Sequence, residues 1–129
     1  MVFGRRISPE VAAQFADDRE LAAHYPDRIA AVERAEGALR EAQAERRDAS
    51  EVRGLHGELE KALSEAITAA EAAERAAMGT RAYGSTRAVE IFRRKAKAKP
   101  SVRPYSDELD RLRTAREAHK LSFRALTRV

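Results

Sequence analysis

Apolar residues recur every three to four positions along most of the chain, and this spacing predicts an all-α protein. The first helix is predicted over residues 9–24, with Ser8 as its N-cap and Pro9 in its first turn. We expect this helix to end near Tyr25, because a residue that precedes a proline is pushed out of the helical conformation.

Residues 27–78 carry two apolar stripes whose phases differ on either side of residue 50. Two arrangements fit this change of phase. The chain turns near residues 47–51 and folds back as a hairpin, with Ser50 capping the second helix, or it continues as one rod with a register slip. We favour the hairpin, because a rod leaves its apolar stripe without an intramolecular partner. The predicted centre is therefore an elongated helical hairpin or coiled coil flanked by shorter helices.

A glycine-rich break is predicted to follow the hairpin. Gly79 is expected to end the long helical region, and residues 79–86 read as a loop. A short helix should begin after an N-cap at Ser85 or Thr86.

Two prolines, Pro100 and Pro104, predict an extended connector between the short helix and the last one. Ser106 is the expected N-cap of that last helix, which is predicted over residues 107–127. We divide the chain into a helical assembly region, residues 1–80, and a second part, residues 81–129, that holds a basic segment and this C-terminal helix.

Alanine dominates the apolar content, since 27 of the 56 hydrophobic residues are alanine. Small residues allow helices to approach closely, but they bury little apolar area, so a surface of this kind needs a covering partner. The alanine-rich stretch from Ala62 to Ala77 therefore indicates self-association or docking into a larger assembly. Packing inside the same monomer is the alternative.

Charge is distributed unevenly along the chain. Residues 1–80 have a net charge of −5, whereas residues 81–129 have a net charge of +9. A local positive field of this kind attracts anionic partners. The predicted binding residues are eight cations and three interleaved aromatic residues that would stack or pack: Arg81, Arg87, Arg93, Arg94, Lys95, Lys97, Lys99, Arg103, Tyr83, Phe92 and Tyr105.

Two kinds of partner fit the basic segment, residues 81–104. Lysine and arginine neutralise phosphates, so non-specific nucleic-acid binding is one interpretation, and an acidic protein surface is the other. The sequence contains no zinc-finger spacing, no aromatic RNA-recognition signature and no zipper after the basic residues. Nothing in it indicates sequence-specific recognition.

Catalytic and metal-binding patterns are absent from the sequence. It has no cysteine, and His24, His56 and His119 do not have the spacing of metal ligands. The segment Gly54–Gly57 fits the GxxG pattern of nucleic-acid-binding KH loops, but no strands are predicted around it, so we interpret it as a helix break or turn. We expect no enzyme activity, no cofactor, no metal and no small-molecule substrate.

These observations predict a non-catalytic helical assembly or adaptor protein, a subunit of a larger complex or particle, whose basic segment docks on an anionic partner. The alternative is a small nucleic-acid-binding architectural or regulatory protein that acts as a dimer. No signal peptide and no membrane span is recognised in the sequence, so we expect a cytoplasmic protein, or one within a particle assembled there.

Overall fold

The computed structural model describes residues 7–127, and these residues form α-helices and no strand. The predicted all-α fold is therefore confirmed. The five helices and a short 3₁₀ turn follow in the order α1 (Pro9–Ala23), α2 (Tyr25–Ala44), α3 (Ala49–Met78), the 3₁₀ turn (Thr80–Ala82), α4 (Arg87–Ala96) and α5 (Arg103–Thr127).

Helix α1 begins as predicted, because the Ser8 hydroxyl accepts a hydrogen bond from the amide of Val11 at 3.1 Å. Only His24 separates α1 from α2. The second helix starts at Tyr25, two residues earlier than expected, with Pro26 in its first turn. A proline is compatible with that position, since the first amide groups of a helix need no intrahelical acceptor.

Helices α2 and α3 are separate and pack against each other, so the chain turns between them and the continuous rod is excluded. The predicted cap at Ser50 is wrong. Asp48 caps α3 instead, because its backbone is extended and its carboxylate accepts a hydrogen bond from the Ser50 amide at 3.1 Å. A coiled-coil geometry for the α2–α3 pair stays a prediction.

The predicted break at Gly54–Gly57 is also wrong, because α3 continues through it without interruption. A glycine inside a helix costs about 1 kcal/mol relative to alanine. The packing of the same helix outweighs this cost, since Leu59 and Leu63 are buried against neighbouring helices one and two turns further along.

Helix α3 lies at the centre of the fold and contacts α1, α2 and α5. The core is one cluster shared by three helices: Val32 and Leu39 from α2, Leu59, Leu63, Ala66, Ile67 and Ala70 from α3, and Leu109 and Leu112 from α5. The large apolar residues of the C-terminal helix are therefore part of the same core as the hairpin.

The alanine-rich stretch of α3 is covered from within the chain. Ala66, Ala69, Ala70, Ala72 and Ala73 are all buried, at 4% exposure or less. We expected this surface to face another protein, and that expectation is wrong for these residues. Their small side chains let α1, α2 and α5 pack closely around one helix.

The connector before α5 is a turn and not the extended segment that the two prolines predicted. The amides of Val102 and Arg103 both donate to the carbonyl of Lys99, at 3.0 and 2.9 Å. Helix α5 consequently begins at Arg103, four residues earlier than predicted, with Pro104 in its first turn. Ser106 is not a cap, because its hydroxyl donates to a carboxylate oxygen of Glu74 at 2.6 Å.

None of the helices within residues 7–127 is both long enough and apolar enough to cross a membrane.

Candidate functional site

The basic segment is built around α4, whose two ends are defined by local chemistry. Gly79 ends α3 with a φ of 88°, a conformation that favours glycine, as predicted. Of the two predicted caps for α4, Thr86 is the one used, since its hydroxyl accepts from the Val89 amide at 3.2 Å.

The inner face of α4 attaches the helix to the rest of the protein. Ala96 is 1% exposed, and Val89 and Phe92 are partly buried. Arg93 lies on this side as well: its Nε donates to the carbonyl of Ala82 at 2.5 Å and an Nη to the carbonyl of Gly84 at 2.7 Å. Arg93 therefore fixes α4 against the preceding loop, and it is a structural residue of the predicted set.

The outer face of α4 combines charge with one large apolar side chain. Arg87, Ile91, Arg94 and Lys95 are spaced four, three and one residues apart, which places them together on one side of a helix. All four are exposed, and Ile91 is 42% exposed to solvent. We call these four residues the α4 outer face.

The cations of the outer face have no ion-pair partner within the described part of the chain. No described carboxylate lies within 4.0 Å of the charged groups of Arg87, Arg94 and Lys95, and the same holds for the nearby exposed Lys97. Arg94 and Lys97 share a hollow with Glu74 and Glu90 without forming an ion pair, so these cations keep hydrogen-bonding capacity for an external anion.

Three further cations of the predicted set lie around this face in different settings. Arg81 and Lys99 sit over the ring of Phe92, at 4.8 and 5.3 Å from its centroid. Arg103 lies 4.0 Å from Asp107, but both side chains are more than 70% exposed, so their attraction is weak. Because these two cations cover the ring of Phe92, its role is packing and its face is not free to stack on a base.

Tyr83 is not available for stacking on a base, because it is only 7% exposed. Its ring packs edge-to-face on Phe15 at 5.9 Å, and its hydroxyl donates to Asp18 at 2.5 Å. Arg75 donates to the same carboxylate at 2.9 and 3.1 Å. Of the two roles expected for the aromatic residues, stacking on a base and packing inside the protein, Tyr83 has the packing role.

The Asp18 carboxylate is the buried anchor of this contact, which joins α1, α3 and the loop before α4. Burial alone would raise the pKa of Asp18, but the hydrogen bonds from Arg75 and Tyr83 and the Arg75 charge outweigh burial and lower it. Burial and the neighbouring carboxylate raise the pKa of the Tyr83 hydroxyl. No local sequence pattern marks this cluster, since Asp18 and Arg75 are 57 residues apart.

The third aromatic residue, Tyr105, is 40% exposed but does not join the α4 outer face. It lines a groove with Phe15 and Tyr25, on the side formed by α1, α2 and α3. The structure therefore brings the cations of α4 together with Ile91 and separates them from two of the three predicted aromatic residues.

Other titratable groups form contacts that sequence analysis missed. Glu74 is buried and accepts a hydrogen bond from Ser106, and His56 and His119, which are 63 residues apart, meet in a buried pair. Among the described residues, no group of three or more histidine, aspartate or glutamate side chains is arranged to hold a metal ion.

Comparison of the chain with protein-family models, with curated proteins and with solved structures gave no match.

Proposed function

We propose that this protein is a non-catalytic helical adaptor that docks on an acidic protein surface through the α4 outer face. The supporting observation is the combination of unpaired, exposed cations with an exposed isoleucine on a helix that is fixed by its other side. Arg93 and Ala96 hold α4 in place, so the outer face is presented in one orientation and loses little freedom on binding.

Ile91 favours a protein partner over nucleic acid. Exposed apolar side chains surrounded by charge are typical of interfaces, in which an apolar centre is buried and a polar rim supplies orientation. A phosphate backbone offers no apolar recess in which Ile91 would lose its exposed surface. The aromatic residues point the same way, because Tyr83 is buried and Phe92 is covered by Arg81 and Lys99.

Nucleic acid is the second candidate partner, and the short spacing between the cations along the chain favours it. Arg87, Arg94, Lys95 and Lys97 lie on 11 consecutive residues and carry no internal partner in the described chain. Cations so placed release counterions when they contact phosphates, which gives binding that weakens steeply with salt.

Fluorescence anisotropy separates the two candidates. A labelled DNA duplex, a labelled single strand and a labelled helical peptide with a glutamate stripe beside leucines are each titrated with the protein across a salt series. Our proposal predicts that the peptide binds at near-physiological salt and that neither nucleic acid does. Steep salt-dependent binding of either nucleic acid, with no binding of the peptide, would instead assign the face to the second candidate.

A matched pair of variants tests which cations are responsible. The first variant changes Arg87, Arg94, Lys95 and Lys97 to glutamate, and we expect it to lose peptide binding. The control reverses four exposed cations elsewhere: Arg34, Arg40, Arg53 and Lys61. Both variants change the net charge equally, so equal loss of binding in both would show a general charge effect and contradict the assignment to α4.

A further inference from the structure

Two imidazole rings meet where α5 crosses the first half of α3. Nδ1 of His56 lies 2.9 Å from Nε2 of His119, the ring centroids are 5.1 Å apart, and the ring planes differ by only 21°. The two nitrogen atoms are close although the ring centroids are far apart, so the nitrogens lie on the line between the centroids. The rings therefore meet edge to edge. The geometry is that of a hydrogen bond in the ring planes, in which one nitrogen donates and the other accepts.

The surroundings define which nitrogen carries the hydrogen. His119 Nδ1 faces a Glu60 carboxylate oxygen at 3.5 Å, so that nitrogen is the donor. Nε2 of a neutral His119 is then an acceptor, and His56 Nδ1 donates to it. His56 Nε2 is left as a buried nitrogen without a hydrogen-bond partner in the described structure. A proton added there would create a buried cation with no acceptor for its new hydrogen.

This pair holds the second half of α5. The first half is anchored in the core by Leu109 and Leu112. Beyond Ala115, the contacts with α3 include the Arg116–Glu60 pair at 2.8 Å, the two histidines, and Phe123, whose ring centroid lies 5.3 Å from that of His56. The buried histidine pair is therefore one of the contacts that attach this part of the helix.

We propose that the His56–His119 pair is a pH-sensitive latch: acidification protonates the buried His56, whose new N–H has no acceptor in the closed contact, and releases residues 116–124 of α5 from α3 while the core stays folded. Arg116, Lys120 and Arg124 on α5 and Glu60 on α3 line the contact or the adjacent hollow. Arg116 is paired with Glu60, and Lys120 is paired with Glu117 of its own helix. A proton added at the buried Nε2 of His56 meets no acceptor in the described structure, and this favours release.

The direction of the pH response follows from linkage. Burial, and to a smaller extent His119, lower the pKa of His56 below its usual 6.5. The open state therefore binds a proton at His56 more tightly than the closed state, and the closed state loses stability as the pH falls below 6.5. Burial alone would raise the pKa of Glu60, but its bonds to Arg116 and His119 lower it, so Glu60 stays charged while His56 titrates.

Spin-label distances test the latch, and the absence of native cysteine makes the labelling specific. Labels at Glu41→Cys on α2 and Ser122→Cys report on the second half of α5. Labels at Glu41→Cys and Asp110→Cys report on the anchored half. We expect the first distance distribution to broaden about twofold between about pH 7.5 and about pH 5.5, and the second to stay unchanged.

Variants show whether the histidines cause the change. In His56→Asn/His119→Gln, the amides keep a neutral hydrogen bond that does not titrate, so the first distribution should stay narrow at both pH values. The single variant His56→Asn, whose first distribution should also stay narrow at both pH values, serves if the double variant does not fold. His24→Gln removes the exposed third histidine and should respond like the parent chain. The proposal is overturned if the parent does not respond, if the double variant still broadens, or if both distances broaden together.

Discussion

Two regions of this protein use the same residue types in opposite ways. In the body formed by α1, α2, α3 and α5, arginines are joined to carboxylates across helices: Arg75 to Asp18, Arg28 to Glu65, Arg113 to Glu71 and Arg116 to Glu60. On the α4 outer face, Arg87, Arg94 and Lys95 have no such partner among the described residues. The role of a charged side chain in this protein is therefore decided by the groups that the fold places beside it.

Cations with an internal partner and cations without one also differ in whether they contribute to stability or to binding. A cation whose partner is a buried carboxylate contributes to folding, because its removal leaves a desolvated charge behind. A cation that faces only water contributes almost nothing to folding and remains available for an outside partner.

Asp18→Ala should cause the largest loss, about 3 kcal/mol in the free energy of unfolding. The substitution leaves Arg75 and the buried Tyr83 hydroxyl without their acceptor. We place it at the low end for a buried pair, because Arg75 is 39% exposed to water. Urea denaturation measures the effect, and the exposed neighbour Asp17→Ala is the matched control, with a change below about 0.5 kcal/mol. Equal effects at both positions would contradict the structural role of Asp18.

Acidification should cost less than deletion of the same carboxylate. Arg75 and Tyr83 hold the pKa of Asp18 below its usual 3.8, so this carboxylate stabilises the fold above that value and the contribution is lost as the pH falls below it. A protonated carboxyl still accepts the Tyr83 hydrogen bond, so the loss is smaller than the loss caused by Asp18→Ala. Denaturation curves between about pH 5 and about pH 3 should show this loss in the parent chain and a shallower one in Asp18→Ala.

Glycine substitutions should stabilise the body without changing the outer face of α4. Gly54 and Gly57 lie inside α3, and a Cβ at either position meets nothing within 4 Å. Alanine at each should therefore raise the free energy of unfolding by about 0.5–1 kcal/mol. Gly79→Ala is the contrasting variant, because its φ of 88° makes alanine strained, and it should destabilise. Thermal denaturation checks all three, and a loss of stability in Gly57→Ala would show that α3 breaks there after all.

Arg94→Glu should have the smallest effect on folding, less than about 0.5 kcal/mol, since Arg94 is exposed and has no described ion-pair partner. Arg75→Glu makes the same chemical change in the body and should cost about 2 kcal/mol, because it places two carboxylates together at a position that is partly exposed to water. Comparable losses in the two variants, measured by urea denaturation, would remove the distinction between the regions.

The sequence predicted those parts of the fold that depend on local chemistry. Ser8 and Gly79 act as expected because a cap is decided by a few adjacent residues. The turn between α2 and α3 could be placed from the change of stripe. The prediction failed at Gly57, where packing outweighs the low helix propensity of glycine. It failed at Pro104 because a proline fits the first turn of a helix as well as an extended connector, and the local sequence does not distinguish the two.

The site was predicted only in part for a related reason. Charge excess is visible in a sequence, so the basic segment could be found. Which residues of this segment are structural and which are exposed could not be predicted, because this depends on tertiary contacts. Tyr83 is buried against Asp18, and Arg93 is bound to loop carbonyls. The His56–His119 pair gave no local signal either, since its two residues come from helices far apart in the chain.

Site-specific photocrosslinking tests the proposed docking face most directly. A photoreactive phenylalanine derivative replaces Ile91 in the cells that make the protein, and a control chain carries it at the exposed Arg53 of α3. Our account predicts that irradiation at position 91 gives an adduct of defined size that resists nuclease and is digested by protease, and that position 53 does not give it. An adduct at position 91 that nuclease removes, or the same protein adduct at both positions, would contradict the assignment of this face to an acidic protein partner.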